Sequence, residues 1–341
     1  MIMPKVSVII PTKDRPKDLG ELLKGILTQD YRPLEVIVVD DSQSMTALPV
    51  VNSLRNKFIS SGIDLLHIKG SGEGLPSARN IGITNSKGDI VCFFDDDILF
   101  LDKSTIRKLV TFMISNSKVL CVQPIILTAY IDRSTQEYKI YVAKGPSPIE
   151  NAICKVLMVT YRDIDRFDVR RSGMSIFPLK VTKVIEARRL SGCFFCCKRE
   201  VFRKVLFDTK LKRWGYMEDL DFSYRVYSIY NRGLYLVPYT KILHKCSPAS
   251  RLPSEKQRQM EIIYWAYVFF KNFFKGSIIN LFSFLWALVG YGLIILGRLI
   301  VKDRDKYEWR KPIFLLKAYL RLLKNMKNII QGDLEFFNRE L

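Results

Sequence analysis

Asp95, Asp96 and Asp97 follow the apolar run "VCFF" with no basic residue between them. Carboxylates this close repel and raise one another's pKa unless a cation or solvent compensates them. The net charge of +20 makes three adjacent acids conspicuous. An Asp-x-Asp pair suits a hard divalent cation with oxygen ligands, and such a cation commonly bridges to phosphate. A solvated loop or a helix cap is the plainer alternative.

Four further groups carry chemistry. Asp40 and Asp41 close a second apolar run. One of them suits a helix cap, and the other can accept hydrogen bonds from a ligand base or ribose. Arg79 and Asn80 follow the Gly-rich lead "GEGLPS", where a cation and backbone amides can meet a phosphate; a surface ion pair is the alternative. Glu218, Asp219 and Asp221 form a distant acidic cluster. A carboxylate there can take a proton from a hydroxyl, or the acids simply favour a helix N-terminus. His244, one of two His, follows a strand-like run.

The elements that must position these groups alternate. Residues 6–10, 34–41, 63–68 and "DIVCFFDDDI" (89–98) read as strands. Residues 19–27, 45–59 and the stretch opening at "GLPSARN" read as helices. Apolar strands alternating with helices argue for a parallel sheet covered on both faces, with ligands at the carboxyl ends of the strands. Thr12 to Arg15, Asp40 with Asp41, and the three acids from Asp95 are then expected in one crevice. Strands are also expected at 120–128 and 137–142, then a basic irregular stretch, then a strand in "LSGCFFCCKREVF" leading into a helix. "WGYMEDLDFSYRVYSIY" reads as a helix and "LYLVPYTKILH" as a strand pair.

The chain's 341 residues allow one large domain or two smaller ones. Seven scattered Cys suggest neither a disulfide framework nor a zinc ribbon, and so a reducing compartment. Residues 2–10 are too short and too interrupted for a signal peptide. Composition shifts near residue 255, which divides the chain into 1–255 and a helical 256–341. Ile278–Gly297 holds no charge and is long enough to span a bilayer. Basic residues lie on both sides of it: Lys271 and Lys275 before, and Lys302, Arg304, Arg310 and Lys311 after. Three arrangements stay open: a single span, a hairpin bending at Gly290 and Gly292, or an interfacial helix pair with the basic tail on anionic lipid. Attachment at the cytoplasmic face of the membrane is expected. Nucleic acid is the generic partner for so basic a chain, but no aromatic-basic recognition motif supports it.

Taken in order, "VSVIIPTKDRP", "LEVIVVDDS", "GLPSARNIGITNSKGD", "VCFFDDDI", "LSGCFFCCKREVF" and "WGYMEDLDFSYRV" resemble family 2 glycosyltransferases with the GT-A fold, over residues 4–250. "EIIYWAYVFFKNFFK" is similar to the segment after the catalytic domain in rhamnosyl- and galactosyltransferase-like members, with Lys271-Asn272 where Arg-Asn is usual. The resemblance implies an α/β fold with a Rossmann-like mixed sheet. It implies that Pro11, Thr12 and Arg15 line the nucleotide pocket, that Asp40 or Asp41 contacts the base, and that Arg79 belongs to the donor-site wall. Asp97 would hold Mg²⁺ or Mn²⁺ with Asp95 supporting, Asp96 would do least, and His244 would help hold the metal or diphosphate. Asp219 would be the catalytic base, with Glu218 beside it.

The activity implied is inverting transfer from a nucleotide-diphosphate sugar to a hydroxyl of a glycan or lipid-linked glycan. Two alternatives stand beside it: transfer onto a polyprenyl phosphate, and a non-catalytic sugar-nucleotide-binding protein. The Gln-x-x-Arg-Trp-type motif of processive synthases is not found, so a single transfer is expected.

Overall fold

The computed structural model describes residues 3–131, 138–141, 146–247, 252–301 and 310–341. Its elements run β1 (Val6–Thr12), α1 (Pro16–Leu27), β2 (Leu34–Asp40), α2 (Leu48–Ser60), β3 (Ile63–Lys69), α3 (Leu75–Asn85), β4 (Ile90–Phe94), β5 (Ile98–Phe100), α4 (Thr105–Ser115), β6 (Cys121–Ile131) and β7 (Tyr138–Tyr141). Then come α5 (Pro148–Val156), β8 (Tyr161–Asp163), β9 (Asp168–Val169), β10 (Ser175–Pro178), β11 (Ile185–Ala187), β12 (Phe194–Lys198), α6 (Glu218–Tyr230), β13 (Leu234–His244), α7 (Ser254–Phe269), α8 (Ile278–Val301), α9 (Lys311–Lys324), α10 (Met326–Gln331) and α11 (Glu335–Asn338).

Two units divide the chain. The first holds residues 1–144, 181–214 and 218–250; the second holds 145–180, 215–217 and 251–341. Residues 145–180 thus group with the C-terminal helices, whereas composition alone placed the boundary near 255.

The first unit is built on one mixed sheet, ordered β11-β13-β6-β12-β4-β1-β2-β3. β1 runs parallel to β2 and β4, and β2 parallel to β3. Every residue of β1, β2 and β4 is buried, as expected for strands covered on both faces. The register aligns Thr12 with Asp40 and Asp40 with Lys69, so these strands end level. α3 lies close on the sheet at Gly82, where an added Cβ would stand 2.3 Å from Ile9 Cγ2. One turn earlier on that helix is Arg79.

β4 ends at Phe94, and the three acids follow before β5 doubles back. β5 pairs antiparallel with the end of β13 and sets His244 opposite Ile98. This pairing brings a residue from the far end of the unit to the acids. "LYLVPYTKILH" forms a single strand, β13, with a register shift between Leu236 and Lys241, not a strand pair. "LSGCFFCCKREVF" forms β12 followed by a 3-10 turn, Arg199–Arg203, in place of the expected helix.

β12 corrects the reading of the cysteines. It runs antiparallel to both β4 and β6, with Cys196 opposite Cys92 and Cys197 opposite Cys121. Successive residues of a strand point to opposite faces, so each Cys of β12 meets one partner, and both pairs are disulfides. Separations of 104 and 76 residues hid this register in the sequence. Cys154, Cys193 and Cys246 belong to neither disulfide.

In the second unit, the stretch that read as basic and irregular forms a small sheet ordered β8-β10-β9. α7 is buried along most of its length, with Trp265 donating from Nε1 to the Ser172 carbonyl at 2.8 Å. The uncharged run becomes α8, which is also long and apolar enough to cross a membrane. Lys302, Arg304, Glu137 and Val142, which figured in the sequence reading, lie outside the described residues.

Candidate active site

The expected strand ends do converge in the first unit. Thr12, the last residue of β1, donates from Oγ1 to Asp96 Oδ2 at 2.7 Å. Arg15 stands 3.2 Å from Asp96 and 3.6 Å from Asp97. Pro11 is buried within β1 and sets no side-chain polar group here. Asp96 is therefore enclosed, and burial pushes its carboxyl up to about 7 against the opposing pull of Arg15 and Thr12. Its role in the structure is to fasten the β1 end to the β4 end.

Asp97 differs from its neighbour. Its Oδ2 accepts from the Ser247 amide at 2.8 Å. Among the described residues no aligned hydrogen-bond donor meets its buried Oδ1, although His244 Nε2 stands 3.1 Å away. Burial opposes charge on Asp97, but His244 and the amide outweigh it and hold the carboxyl at about 2. Asp95 also pairs with Arg79, through Oδ1 at 3.1 Å, and burial pushes its pKa upward.

Asp95, Asp97 and His244 each offer a ligand atom, all within 4.8 Å of one another. Two carboxylates and an imidazole suit a divalent ion such as Mn²⁺, and carboxylates also suit Mg²⁺. The unmatched Oδ1 of Asp97 fits the same use, since a buried carboxylate oxygen without a donor is costly unless a cation reaches it. The donor set therefore fits the expected metal.

Arg79 departs from its expected surroundings. It is fully buried. Its guanidinium reaches Glu218 Oε1 at 2.5 Å, Asp95 Oδ1 at 3.1 Å and the Gly192 carbonyl at 2.7 Å. Phe93 and Phe207 cover its flat faces. This is a strut between the acids after β4 and the acids that open α6. Asn80 beside it exchanges two hydrogen bonds with the Phe207 backbone and serves the fold.

At the start of α6, Glu218 and Asp219 sit in different environments. Glu218 is buried, its Oε2 has no hydrogen-bond partner among the described residues, and burial raises its pKa to about 8 despite Arg79. Asp219 is partly exposed. Its Oδ2 accepts from Arg189 Nη2 at 2.9 Å and from the Gly192 amide at 3.0 Å. Bonds of this kind hold the carboxylate in a fixed position. Asp221, fully buried, pairs with Arg225 one turn on.

Gly192 touches both systems. It donates to Asp219 and accepts from Arg79, and an added Cβ would lie 2.6 Å from Glu218 Oε1. Neither Arg189 nor Gly192 stood out in the sequence. The available signal was a basic pair, Arg188-Arg189, interrupting the approach to an apolar strand.

Asp40 and Asp41 are both buried and internally bonded. Asp40 accepts from the Ser42 and Ala47 amides and lies 3.3 Å from His67 Nε2. It thereby fixes the entry to α2. Asp41 accepts from the Gly72 and Gly74 amides at 2.7 and 2.9 Å, which shapes the Gly-rich lead into α3.

Residues 7–206 match the family model "Glycosyl transferase family 2". The chain belongs to this family. Among curated relatives, the Staphylococcus aureus poly(ribitol-phosphate) beta-N-acetylglucosaminyltransferase TarS is 34% identical over 113 residues, 33% of this chain and 19% of TarS. A Campylobacter jejuni enzyme named GalNAc(5)-diNAcBac-PP-undecaprenol beta-1,3-glucosyltransferase is 36% identical over 95 residues, 28% of this chain and 30% of that one. These matches span under a third of either relative. In structure, the chain resembles a Pyrobaculum calidifontis mannosyltransferase solved with GDP-Man and Mn²⁺ (TM-score 0.57, 16% identity, 95% of this chain and 88% of that one). It also resembles a TarS fragment from S. aureus (TM-score 0.52, 17% identity, 98% and 89%). The family 2 chain thus has the GT-A fold of the nucleotide-sugar transferases.

Proposed function

We propose that this family 2 member transfers a sugar, with inversion, from a nucleotide-diphosphate sugar to a hydroxyl of a glycan or lipid-linked glycan. The observation that carries the proposal is the Asp95–Arg79–Glu218 chain. It joins an acid cluster suited to a cation and diphosphate to Glu218, the chain neighbour of Asp219, a partly exposed carboxylate suited to a base.

In this reading Asp97, Asp95 and His244 hold Mg²⁺ or Mn²⁺, which would neutralise the developing diphosphate charge as a Lewis acid. Arg15, next to Asp96 and Asp97, lines the nucleotide side together with Thr12. Asp41 acts on the nucleotide through the loop it shapes, and Asp40 supports it from beneath.

Asp219 accepts the proton of the acceptor hydroxyl as its oxygen attacks the anomeric carbon. The bond from that carbon to the diphosphate oxygen breaks, and the diphosphate leaves with the electron pair. One in-line displacement inverts the configuration and needs no covalent protein nucleophile. Arg189 and the Gly192 amide hold Asp219 in place. Glu218, buried and tied to Arg79, positions rather than reacts.

The apolar α8 and the relative named for an undecaprenol-linked substrate support work at the cytoplasmic face of a membrane. A panel of nucleotide sugars assayed for hydrolysis and transfer, with and without EDTA, tests the proposal. One donor turned over only with a divalent cation is the expected result. No turnover or binding with any donor would defeat it.

A further inference from the structure

α8 has one packed side and one bare side. Phe284 stacks on Phe269 of α7 with ring centroids 4.2 Å apart, and Ala287, Leu288 and Ile295 are buried. Phe282, Leu285, Val289, Leu293 and Leu296 are exposed. Their three- and four-residue spacing draws a continuous apolar stripe along the helix.

The neighbouring helices repeat the pattern. On α9, Ile313, Leu316, Leu320 and Leu323 are exposed while Leu315, Ala318 and Leu322 are buried. Tyr319 of α9 bonds to the Leu288 carbonyl, which fixes α9 beside α8. On α5, Ile149 and Val156 are exposed, and Trp286 of α8 donates from Nε1 to the Val156 carbonyl at 3.0 Å. Exposed apolar side chains thus recur on three adjoining helices, and a large contiguous apolar patch marks a protein or membrane interaction site.

Polar contacts show how α8 can meet a bilayer. Well inside its apolar run, Tyr291 donates to Glu261 Oε2 at 3.0 Å, and Arg258 bonds to the same hydroxyl. Arg258 and Glu261 are an ion pair on α7. Glu255 of α7 pairs with Lys317 of α9. A spanning α8 would carry these ion pairs to bilayer depth, where charged side chains are costly. A helix lying in the interface keeps them on the water side. Lys275, Lys324 and Lys327, all exposed, stand at the ends of the apolar stripes or just beyond them, where they can meet anionic headgroups.

We infer that α5, α8 and α9 form a one-sided platform that docks on an anionic lipid surface without crossing it. This deepens the reading that the enzyme works at a membrane, and it can fail while the transfer chemistry stands.

The full chain is mixed with vesicles of phosphatidylcholine alone, or with phosphatidylglycerol added, and binding is read by flotation. At least tenfold tighter binding to the anionic vesicles, weakened by salt and reversed by an alkaline carbonate wash, is expected. Leu285→Glu combined with Leu293→Glu should lower binding at least tenfold while donor hydrolysis persists as the check on folding. If that variant does not fold, Leu320→Glu with Leu323→Glu on α9 gives the same test. No binding to either vesicle would overturn the inference, as would full binding by a folded variant. Retention of all protein after carbonate would overturn it in favour of a span. Dimers that the substitutions disperse, without vesicle binding, would assign the face to a second copy.

Discussion

Arg79 and Glu218, 139 residues apart in sequence, meet at 2.5 Å in a buried hydrogen-bonded pair. The same guanidinium reaches Asp95, so one cation is shared by carboxylates from two distant segments. A buried pair contributes modestly to stability, but removing one partner strands the other at a cost of about 3–5 kcal/mol. Arg79→Met should therefore destabilise the chain by about that much in denaturant unfolding. Adding Glu218→Gln should recover part of the loss, because the titratable carboxyl left without its partner is then gone. Equal instability of the single and double variants would contradict the strut.

Glu218 gives a pH test. Its folded pKa is raised to about 8 from an ordinary 4.5. Between those values the unfolded chain is ionised there while the folded chain keeps its proton. Stability from this group is thus full below pH 4.5 and is lost as pH rises toward 8. Glu218→Gln removes the titration, so its melting temperature should gain on the parent's as pH goes from 5 to 8. A constant difference across that range would mean that Glu218 stays ionised against Arg79.

Asp219→Asn keeps the shape of the side chain but removes the proton acceptor. Transfer should fall by a factor of about 10² or more, the scale of a lost general base, while nucleotide binding by calorimetry stays within about twofold. Turnover near the parent level would place the base elsewhere.

Removal of the divalent ion should abolish transfer, and Mn²⁺ should restore it. Mn²⁺ should also raise the melting temperature of the parent, because a ligand that binds only the folded state stabilises it. Asp97→Asn should lose that rise. An unchanged thermal response in this variant would remove Asp97 from the ligand set.

Much of this was legible from local pattern. Buried β-branched runs and their bounding turns located β1 to β4, and the rule that strand ends share a crevice brought Thr12, Arg15 and the three acids together. What stayed hidden depended on long-range register. Nothing near Arg79 says that it turns inward to Glu218, and nothing near Cys196 and Cys197 says which strands flank them. Arg189 looked like one more base in a basic chain until Asp219 stood beside it. Asp40 and Asp41 were correctly seen as strand-end acids, but their bonds run to backbone amides of the loops that follow, which a sequence does not display.

The missing side chain at residue 192 has a practical outcome for anyone redesigning this chain. The grip on Asp219 and the grip on Arg79 pass through one residue's backbone. A shift of that backbone that moves Arg79 also re-aims Asp219. Donor choice and acceptor activation are therefore expected to change together around Gly192, and variants that separate them should map to α3 or to the loop shaped by Asp41.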